Sequence, residues 1–405
     1  MNRIKEMFRV LKYRNFRLFF PGLATSQIGI WIQNVAINWL VYDMTKSPFI
    51  MGVVMFFNAI PLLLLTPFAG VIVDKFNRHK LLMSVQALFA LQAFLMTILT
   101  FLGLTQIWNI ILLGVFLNCI VAIDTPLRQS TFVCLVDDKK DLGNAISLNS
   151  SCFNVARLLG PAIGGFLIAY TNISVCFLIN FICLLPAIWF VRQMNIPTIK
   201  CEKIQNETIW EGLKEGLSYA VHTPQITNLL AYVGFFCFLI MVYPMLMPIY
   251  TAEILNAKAD ILGVLLGATG VGALVSSLLI AMKTSSSRLR TIIFLGQICA
   301  CICFIGLGFT NSQNMAIILM FMLGLGSTAL TTPENMLLQQ VTEDDKRGRI
   351  MSFQALCYWG TTSLSSFFAG TLAHILGISN TFICLGILMI LIGSIISLKL
   401  SKLKF

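Results

Sequence analysis

Charge is what this chain has least of. Asp, Glu, Lys and Arg make up 11% of its 405 residues, against roughly one quarter in a soluble domain. Hydrophobic residues reach 57% and the mean hydropathy is +0.85, so an ordinary water-facing globule is excluded. Histidine is scarcer still. The three that exist, His79, His222 and His374, stand far apart, and there is no H-E-x-x-H and no P-loop. Intramembrane metal-dependent hydrolysis and direct ATP hydrolysis therefore lack their residues, and no cofactor or metal is expected. An ATP-driven pump would need a separate ATPase subunit. Twelve cysteines are present, but most lie within apolar runs, where they act as small hydrophobes. No disulfide framework follows. Cys299, Cys301 and Cys303 form a C-x-C-x-C row, whose middle member points away from the other two on a helix.

What the chain does have is a succession of long apolar runs. A helix needs about 20 residues to cross the hydrocarbon. Twelve crossings are expected, beginning near Phe16, Phe49, Leu81, Gln106, Leu142, Ser174, Leu217, Ile261, Thr291, Met315, Arg349 and Asn380, which makes an all-α integral membrane protein. Of the 28 Lys and Arg, only Lys46 and Lys258 fall in one alternate set of gaps and Arg157 inside a run, which leaves 25 on the other side. By the positive-inside rule that side is the cytoplasm, and both termini lie there. The net charge of +11 is scattered through short juxtamembrane groups, so membrane lipids with anionic headgroups are the expected partner and nucleic acid is not. The basic N-terminus precedes a segment too long and too rich in Gln and Asn for a cleaved signal, and it reads as the first transmembrane helix.

The two halves repeat. TPLRQSTFVCLVDDKK from Thr125 aligns with TPENMLLQQVTEDDKR from Thr332 at a displacement of 207, which also carries Asp137, Asp138 and Lys139 onto Asp344, Asp345 and Lys346. Six helices per half in one orientation match parallel repeats about an axis along the membrane normal. The expected organisation is an N-terminal six-helix bundle over 1–192, a cytoplasmic linker over 193–216 and a C-terminal six-helix bundle over 217–405. In the linker, Thr208 and Glu211 have capping-box spacing, and Trp210, Leu213 and Leu217 follow at i, i+3, i+7. That pattern reads either as a short amphipathic helix on the membrane surface or as a solvated connector with a helical end.

Polar residues inside the runs are the candidates for function. Arg157, preceded by Asn149 and Asn154, lies sixteen residues beyond Asp141 and so about 24 Å along a helix. A guanidinium at that depth costs about 2.5–3.5 kcal/mol and calls for a partner or a watery cavity, so Arg157 is expected to bind an anionic substrate group or pair with another helix. Gln27, Asn34 and Asn38 form a polar stripe that either faces the pore or bonds a neighbouring helix. Tyr243, Gln354, Tyr358 and Trp359 are candidate walls in the second half. Asp124 and Arg128, at i and i+4, can meet on one face as a gating or structural pair.

GVIVDKFNRHK, from Gly70 to Lys80, resembles the signature loop of the major facilitator superfamily, with Gly70, Asp74, Lys75, Arg78 and Lys80 in register. An acid at a helix end beside a basic cluster can act as a latch, because charge-assisted hydrogen bonds must break for the loop to move. The equivalent second-half loop, KTSSSRLR, has no acid. ARLLGPAIGG resembles the antiporter motif of the same superfamily, with Gly160, Pro161, Gly164 and Gly165 in place and Ala156 where Gly is common. Gly160 and Gly164 make a small-residue face for close helix approach, and Pro161 removes a backbone hydrogen bond.

NFRLFF, WIQNVAINWLVYDMTKSP, DTPLRQ and LNSSCFNVARLLGPAIGG are similar to the enterobactin-exporter branch, the transmembrane secretion effector-like transporters. The resemblance implies the major facilitator fold of two six-helix pseudo-symmetric bundles in a bacterial inner membrane. It further implies proton-coupled export of a small, partly apolar molecule, an anionic siderophore among the candidates, with an outer-membrane efflux channel downstream. Related branches handle drugs or lysophospholipids, and a helical receptor or channel is the alternative of another class. Among the acids Asp74, Asp124 and Glu334, Asp124 is the expected proton carrier.

Overall fold

The computed structural model describes residues 8–136, 139–194, 209–281, 286–343 and 346–401. After a 3₁₀ turn over Phe8–Lys12 come six helices: α1 (Arg14–Thr45), α2 (Pro48–Lys75), α3 (Arg78–Phe101), α4 (Ile107–Leu135), α5 (Lys139–Tyr170) and α6 (Ile173–Gln193). The shorter α7 (Ile209–His222) follows, then α8 (Pro224–Ile240) and α9 (Tyr243–Ile249), which runs into a π turn at Tyr250–Ile254. The remainder is α10 (Ala259–Ala281), α11 (Ser286–Phe309), α12 (Gln313–Val341), α13 (Arg347–Ala355), a π turn at Leu356–Gly360, α14 (Thr361–Leu376) and α15 (Ile378–Ser401).

Taken with α8–α9 and α13–α14 as broken rods, these are twelve long helical stretches in the expected order. Among the described residues nine are both long and apolar enough to cross a membrane. Of the other three, Gln27, Gln33, Asn34 and Asn38 dilute α1, a π turn interrupts the rod of α13 and α14, and in α15 the described side chains cover the apolar stretch Ile378–Gly393. The seventh crossing starts at Pro224 rather than at Leu217, which belongs to α7. Proline at the first turn opens α8 without loss of a helical hydrogen bond.

Apolar faces point outward as well as inward. Along α3, Leu88, Leu91, Leu95 and Ile98 repeat with helical spacing on the exposed side, while Leu82, Val85, Phe89 and Ala93 are buried on the other. A water-soluble helix would keep only the second stripe apolar, so the first is the lipid face.

The chain forms two compact units, Met1–Leu40 with Ile60–Lys203, and Val41–Ala59 with Ile204–Phe405. In the first, Phe16, Phe19, Phe89, Leu127, Phe132 and Leu184 belong to one core, and three buried amides bind α1, α3 and α6 together: Gln33 donates to Gln92 at 3.0 Å and Asn180 donates to Gln33 at 2.7 Å. At its edge, Asp141 in the first turn of α5 accepts hydrogen bonds from Tyr13 and Lys12, each at 2.8 Å, with Arg9 at 3.6 Å. In the second unit α7 is docked on α13 by the Glu215–Arg349 ion pair and by Lys346 lying 4.4 Å over the Tyr219 ring. Leu217 and Val221 face outward from α7, in keeping with an amphipathic helix. Thr208 lies outside the described residues, as do the side chains of Trp210, Glu211 and Leu213.

Candidate functional site

The second unit buries a carboxyl group that has no cation beside it among the described residues. Glu334 lies on α12, 21 residues from its start and seven from its end, and its side chain is fully enclosed. Gln354 near the end of α13 donates to Glu334 Oε2 at 2.8 Å. Asn335 in turn donates to Gln354 Oε1 at 2.8 Å, and Gln339 donates to Asn335 at 2.6 Å. The amide chain thus runs from exposed Gln339 to the buried carboxyl with every donor aimed inward. Glu334 Oε1 has no hydrogen-bond partner among the described residues.

Glu334 is also one of the residues around a cavity. The cavity, of about 370 Å³, is lined by Glu334, Asn335, Met336, Gln354, Tyr358 and Thr331 among others, and no Lys, Arg or His is found in its lining among the described residues. The π turn at Leu356–Gly360 brings Tyr358 to its wall. Such turns displace side chains from regular helical register and are frequent at functional sites. A carboxylate enclosed with a single hydrogen bond is costly, and a proton or a bound cation relieves that cost.

The first unit treats its acid differently. Asp124 and Arg128 meet one turn apart on α4, Arg128 Nε to Asp124 Oδ2 at 2.5 Å, and both are buried. Asp124 Oδ1 and Arg128 Nη2 have no hydrogen-bond partner among the described residues. The pair is internally neutral, so Asp124 is already occupied by a fixed cation.

The other expected site residues are spread along α1, α2, α3 and α5. Arg157 is half-buried near the middle of α5, and the Asn154 amide donates to the Ser150 carbonyl of its own helix at 3.0 Å. Gln27, Asn34 and Asn38 are half-buried on α1; the residue of that helix that bridges to neighbours is Gln33, one position off the stripe. In the α5 motif a Cβ on Gly160 would overlap the Trp31 Cβ, and one on Gly164 would press on the Ile32 carbonyl at 3.3 Å. The two glycines therefore let α5 lie against α1; Pro161 and Gly165 are buried beside them. The side chains of Gly70, Asp74 and Lys75 lie outside the described residues. Near them Asn77 caps α3 by accepting from the Lys80 amide at 3.1 Å, His79 meets the Val191 carbonyl at 2.9 Å, and Arg78 is half-buried.

The family model for transmembrane secretion effectors matches residues 6–404. The chain belongs to the transmembrane secretion effector family. Relatives align over nearly all of it. The staphyloferrin A transporter of Staphylococcus aureus (strain NCTC 8325 / PS 47) is 26% identical over 394 residues, covering 96% of this chain and 97% of that protein. The multidrug efflux pump Tap of Mycolicibacterium fortuitum is 24% identical over 398 residues, covering 96% and 95%. Among solved structures, a bacterial homologue of the human lysosomal transporter Spinster superposes with a TM-score of 0.73 at 14% identity, covering 96% of this chain and 97% of that one. A bacterial homologue of the iron transporter ferroportin gives 0.73 at 14% identity, covering 96% and 99%. At those identities the structures speak to the fold alone, which is the major facilitator fold. This transmembrane secretion effector is accordingly a multi-pass secondary transporter and not an enzyme.

The Glu334–Gln354–Asn335 cluster was only partly legible beforehand. Glu334 stands out as one of three deep acids and Gln354 as a polar wall, but Asn335 and Gln339 carry no signal until α12 and α13 are side by side. Their spacing, Glu334-Asn335 with Gln339 at i+4 of the latter, is the trace that the sequence retains.

Proposed function

We propose that this transporter exports a small, partly apolar, anionic molecule of siderophore type from the bacterial cytoplasm by proton-coupled alternating access. The observation that carries the substrate class is the end-to-end similarity to the staphyloferrin A transporter. Arg157 supports it, since a half-buried guanidinium in the middle of a membrane helix offers an anion its charge at little further desolvation. The protein sits in the inner membrane with its more basic face and both termini inward, among anionic lipids, and where an outer membrane exists its product leaves through a separate efflux channel. The N-terminal and C-terminal six-helix halves rock about the substrate, and the loop from Gly70 to Lys80 latches one end.

Glu334 is the proton carrier in this scheme, in place of Asp124. Arg128 holds its guanidinium against Asp124, whereas Glu334 is enclosed with a neutral amide donor. Drug efflux is the second reading, favoured by the alignment with the Tap pump and by macrolide efflux protein A of Streptococcus pyogenes, 20% identical over 395 residues.

The deciding experiment measures iron-chelating activity in the medium and in cell extracts of iron-starved wild-type and deletion strains. Loss from the medium with accumulation inside cells is expected, restored by the wild-type gene and not by Arg157→Ala at matched expression. Unchanged secretion by the deletion strain overturns the siderophore assignment.

A further inference from the structure

Helix α11 carries the densest thiol group of the chain, Cys299, Cys301 and Cys303. Cys301, two residues from each of the others, points elsewhere on the helix. Cys299 and Cys303 stand at i and i+4, where side chains of one face meet, and the Cys303 thiol hydrogen-bonds the Cys299 sulfur. Cys299 in turn donates to the Met322 carbonyl of α12 at 3.3 Å. Glycine makes that approach possible: a Cβ on Gly326 would lie 3.2 Å from the Cys299 Cβ and 2.9 Å from the Gly296 carbonyl, so α11 and α12 touch backbone to backbone beside the pair. The pair is open from the lipid side. Leu295 and Ile302 share the face of Cys299 and are exposed, as is Met322 across from it, on two helices long and apolar enough to cross a membrane. Cys299 itself is half-buried. Cys303 is enclosed, but its S–H aims at the Cys299 sulfur, so a group seated on Cys299 meets it directly.

We infer that Cys299 and Cys303 form a dithiol site for a lipophilic, monosubstituted arsenic(III) compound that enters from the bilayer. Sulfur ligands take soft centres of this kind. The Cys299 thiol adds across the As=O bond of an arsenoso group, R–As=O, forming an As–S bond and leaving a hydroxyl on arsenic. The Cys303 thiol then displaces that hydroxyl, which departs as water with the Cys303 proton. Two S–H bonds and the As=O bond are exchanged for two As–S bonds and one water; arsenic stays trivalent, so no oxidant or reductant is needed. The product is neutral, and neutrality selects the ligand class. The groups acting on the two thiols are each other, Cys301 and backbone groups, and no cation is among them within the described residues. A copper(I) bis-thiolate would therefore leave a net negative charge in apolar surroundings, which is costly. Zinc in a structural site takes four ligands, and among the described residues no group of three or more His, Cys, Asp or Glu is placed to hold a metal ion. A linear mercury(II) bridge has to sit between the two sulfurs and part them, whereas pyramidal arsenic lies beside a pair already in contact.

The test uses the full-length protein in nanodiscs with phenylarsine oxide as the probe. An excess of a monothiol strips arsenicals held by one sulfur, while a centre held by two is retained because the second bond forms at high effective concentration. Phenylarsine oxide is expected to survive the monothiol wash and to be released by a small dithiol. Peptide mass spectrometry should place it across Cys299 and Cys303, both of which then resist alkylation. Cys303→Ala, which leaves Cys299 alone, should lower retention at that peptide at least tenfold, and Cys301→Ala should leave it as in the wild type. Equal retention there in the wild type and Cys303→Ala overturns the inference. Because the mapping needs no variant, it decides the matter even where Cys303→Ala folds poorly: an arsenical found only on other cysteines of the wild-type protein, or none retained after the wash, overturns the inference as well.

Discussion

Helices α4 and α12 occupy the same register of the internal repeat and bury their acids in opposite company. Thr125-Pro126 and Thr332-Pro333 align under the displacement of 207, and an acid stands beside each: Asp124 just before the first pair, Glu334 just after the second. The position equivalent to Asp124 is Thr331, three residues before Glu334, so the two acids fall on nearly the same helix face, one turn apart. The partner changes more than the acid does. Arg128 aligns with Asn335, a guanidinium against an amide. On α4 the charge is neutralised within one helix; on α12 the amide bonds Gln354 and Gln339, and the enclosed carboxyl has no cation beside it among the described residues. On the scheme proposed above, the repeated scaffold would hold one acid in an ion pair and use the other for exchange.

The largest effect should come from breaking the pair on α4. Removing one member of a buried ion pair costs about 3–5 kcal/mol, because the other charge is stranded. Arg128→Met should therefore lower the thermal midpoint in detergent sharply, and the double substitution Asp124→Leu with Arg128→Met should recover most of it. Glu334→Gln strands no charge and should leave the midpoint near that of the wild type while abolishing coupled transport. If the α12 substitution proves the more destabilising of the two, the division of labour between these helices is wrong.

A smaller change tests the amide chain. Gln354→Leu removes the one hydrogen bond to Glu334, and a buried acceptor left unsatisfied costs about 1–3 kcal/mol, more for a charged group. The expected outcome is a modest loss of stability measured at neutral pH, with the difference from wild type shrinking in the Glu334→Leu background, where no carboxyl remains to be left bare. An equal loss in both backgrounds would assign Gln354 a packing role only.

The succession of long apolar runs was enough to read an all-helical membrane protein, because lipid imposes a length on every crossing, and the motif resemblance narrowed it to the major facilitator fold. Gly160 and Gly164 were legible as a contact face, though not that Trp31 and Ile32 of α1 fill it. The ion pair on α4 was legible because both members lie on one helix at i and i+4. The α12 site was not, since Gln354 is twenty residues from Glu334 and reaches it only through the packing of α13 against α12 and the π turn beyond. Sequence spacing encodes contacts within a helix; contacts between helices depend on crossing geometry that no single run of residues carries.

A third acid sharpens the comparison at the membrane surface. Asp141 opens α5, and the residue 207 further on is Gly348, so the second half has no counterpart. Hydrogen bonds from Lys12 and then Tyr13 hold the Asp141 carboxyl below its ordinary value of 3.8, and the bond to Asp141 raises Lys12 above 10.5. A carboxyl lowered in the folded state contributes its full stabilisation above its ordinary value and loses it as the pH falls toward the folded one. For Lys12 the contribution is complete below 10.5 and lost as the pH rises through its raised value. The contact between the N-terminal turn and α5 is therefore firm across the physiological range and releases only in strong acid or strong base. A spin label at Leu11 should be immobile in the wild type at pH 7 and become mobile only once the pH has fallen well below 3.8, the ordinary value of the carboxyl, and in Asp141→Asn it should be mobile at both. Because Lys12 and Arg9 are largely exposed, with side-chain exposures of 46% and 58%, the thermal midpoint should hardly move. A label whose mobility ignores both the pH and the substitution would mean that the turn is held by Val10 packing in the apolar core, and that the Asp141 cluster fixes only the direction from which the chain enters the first crossing.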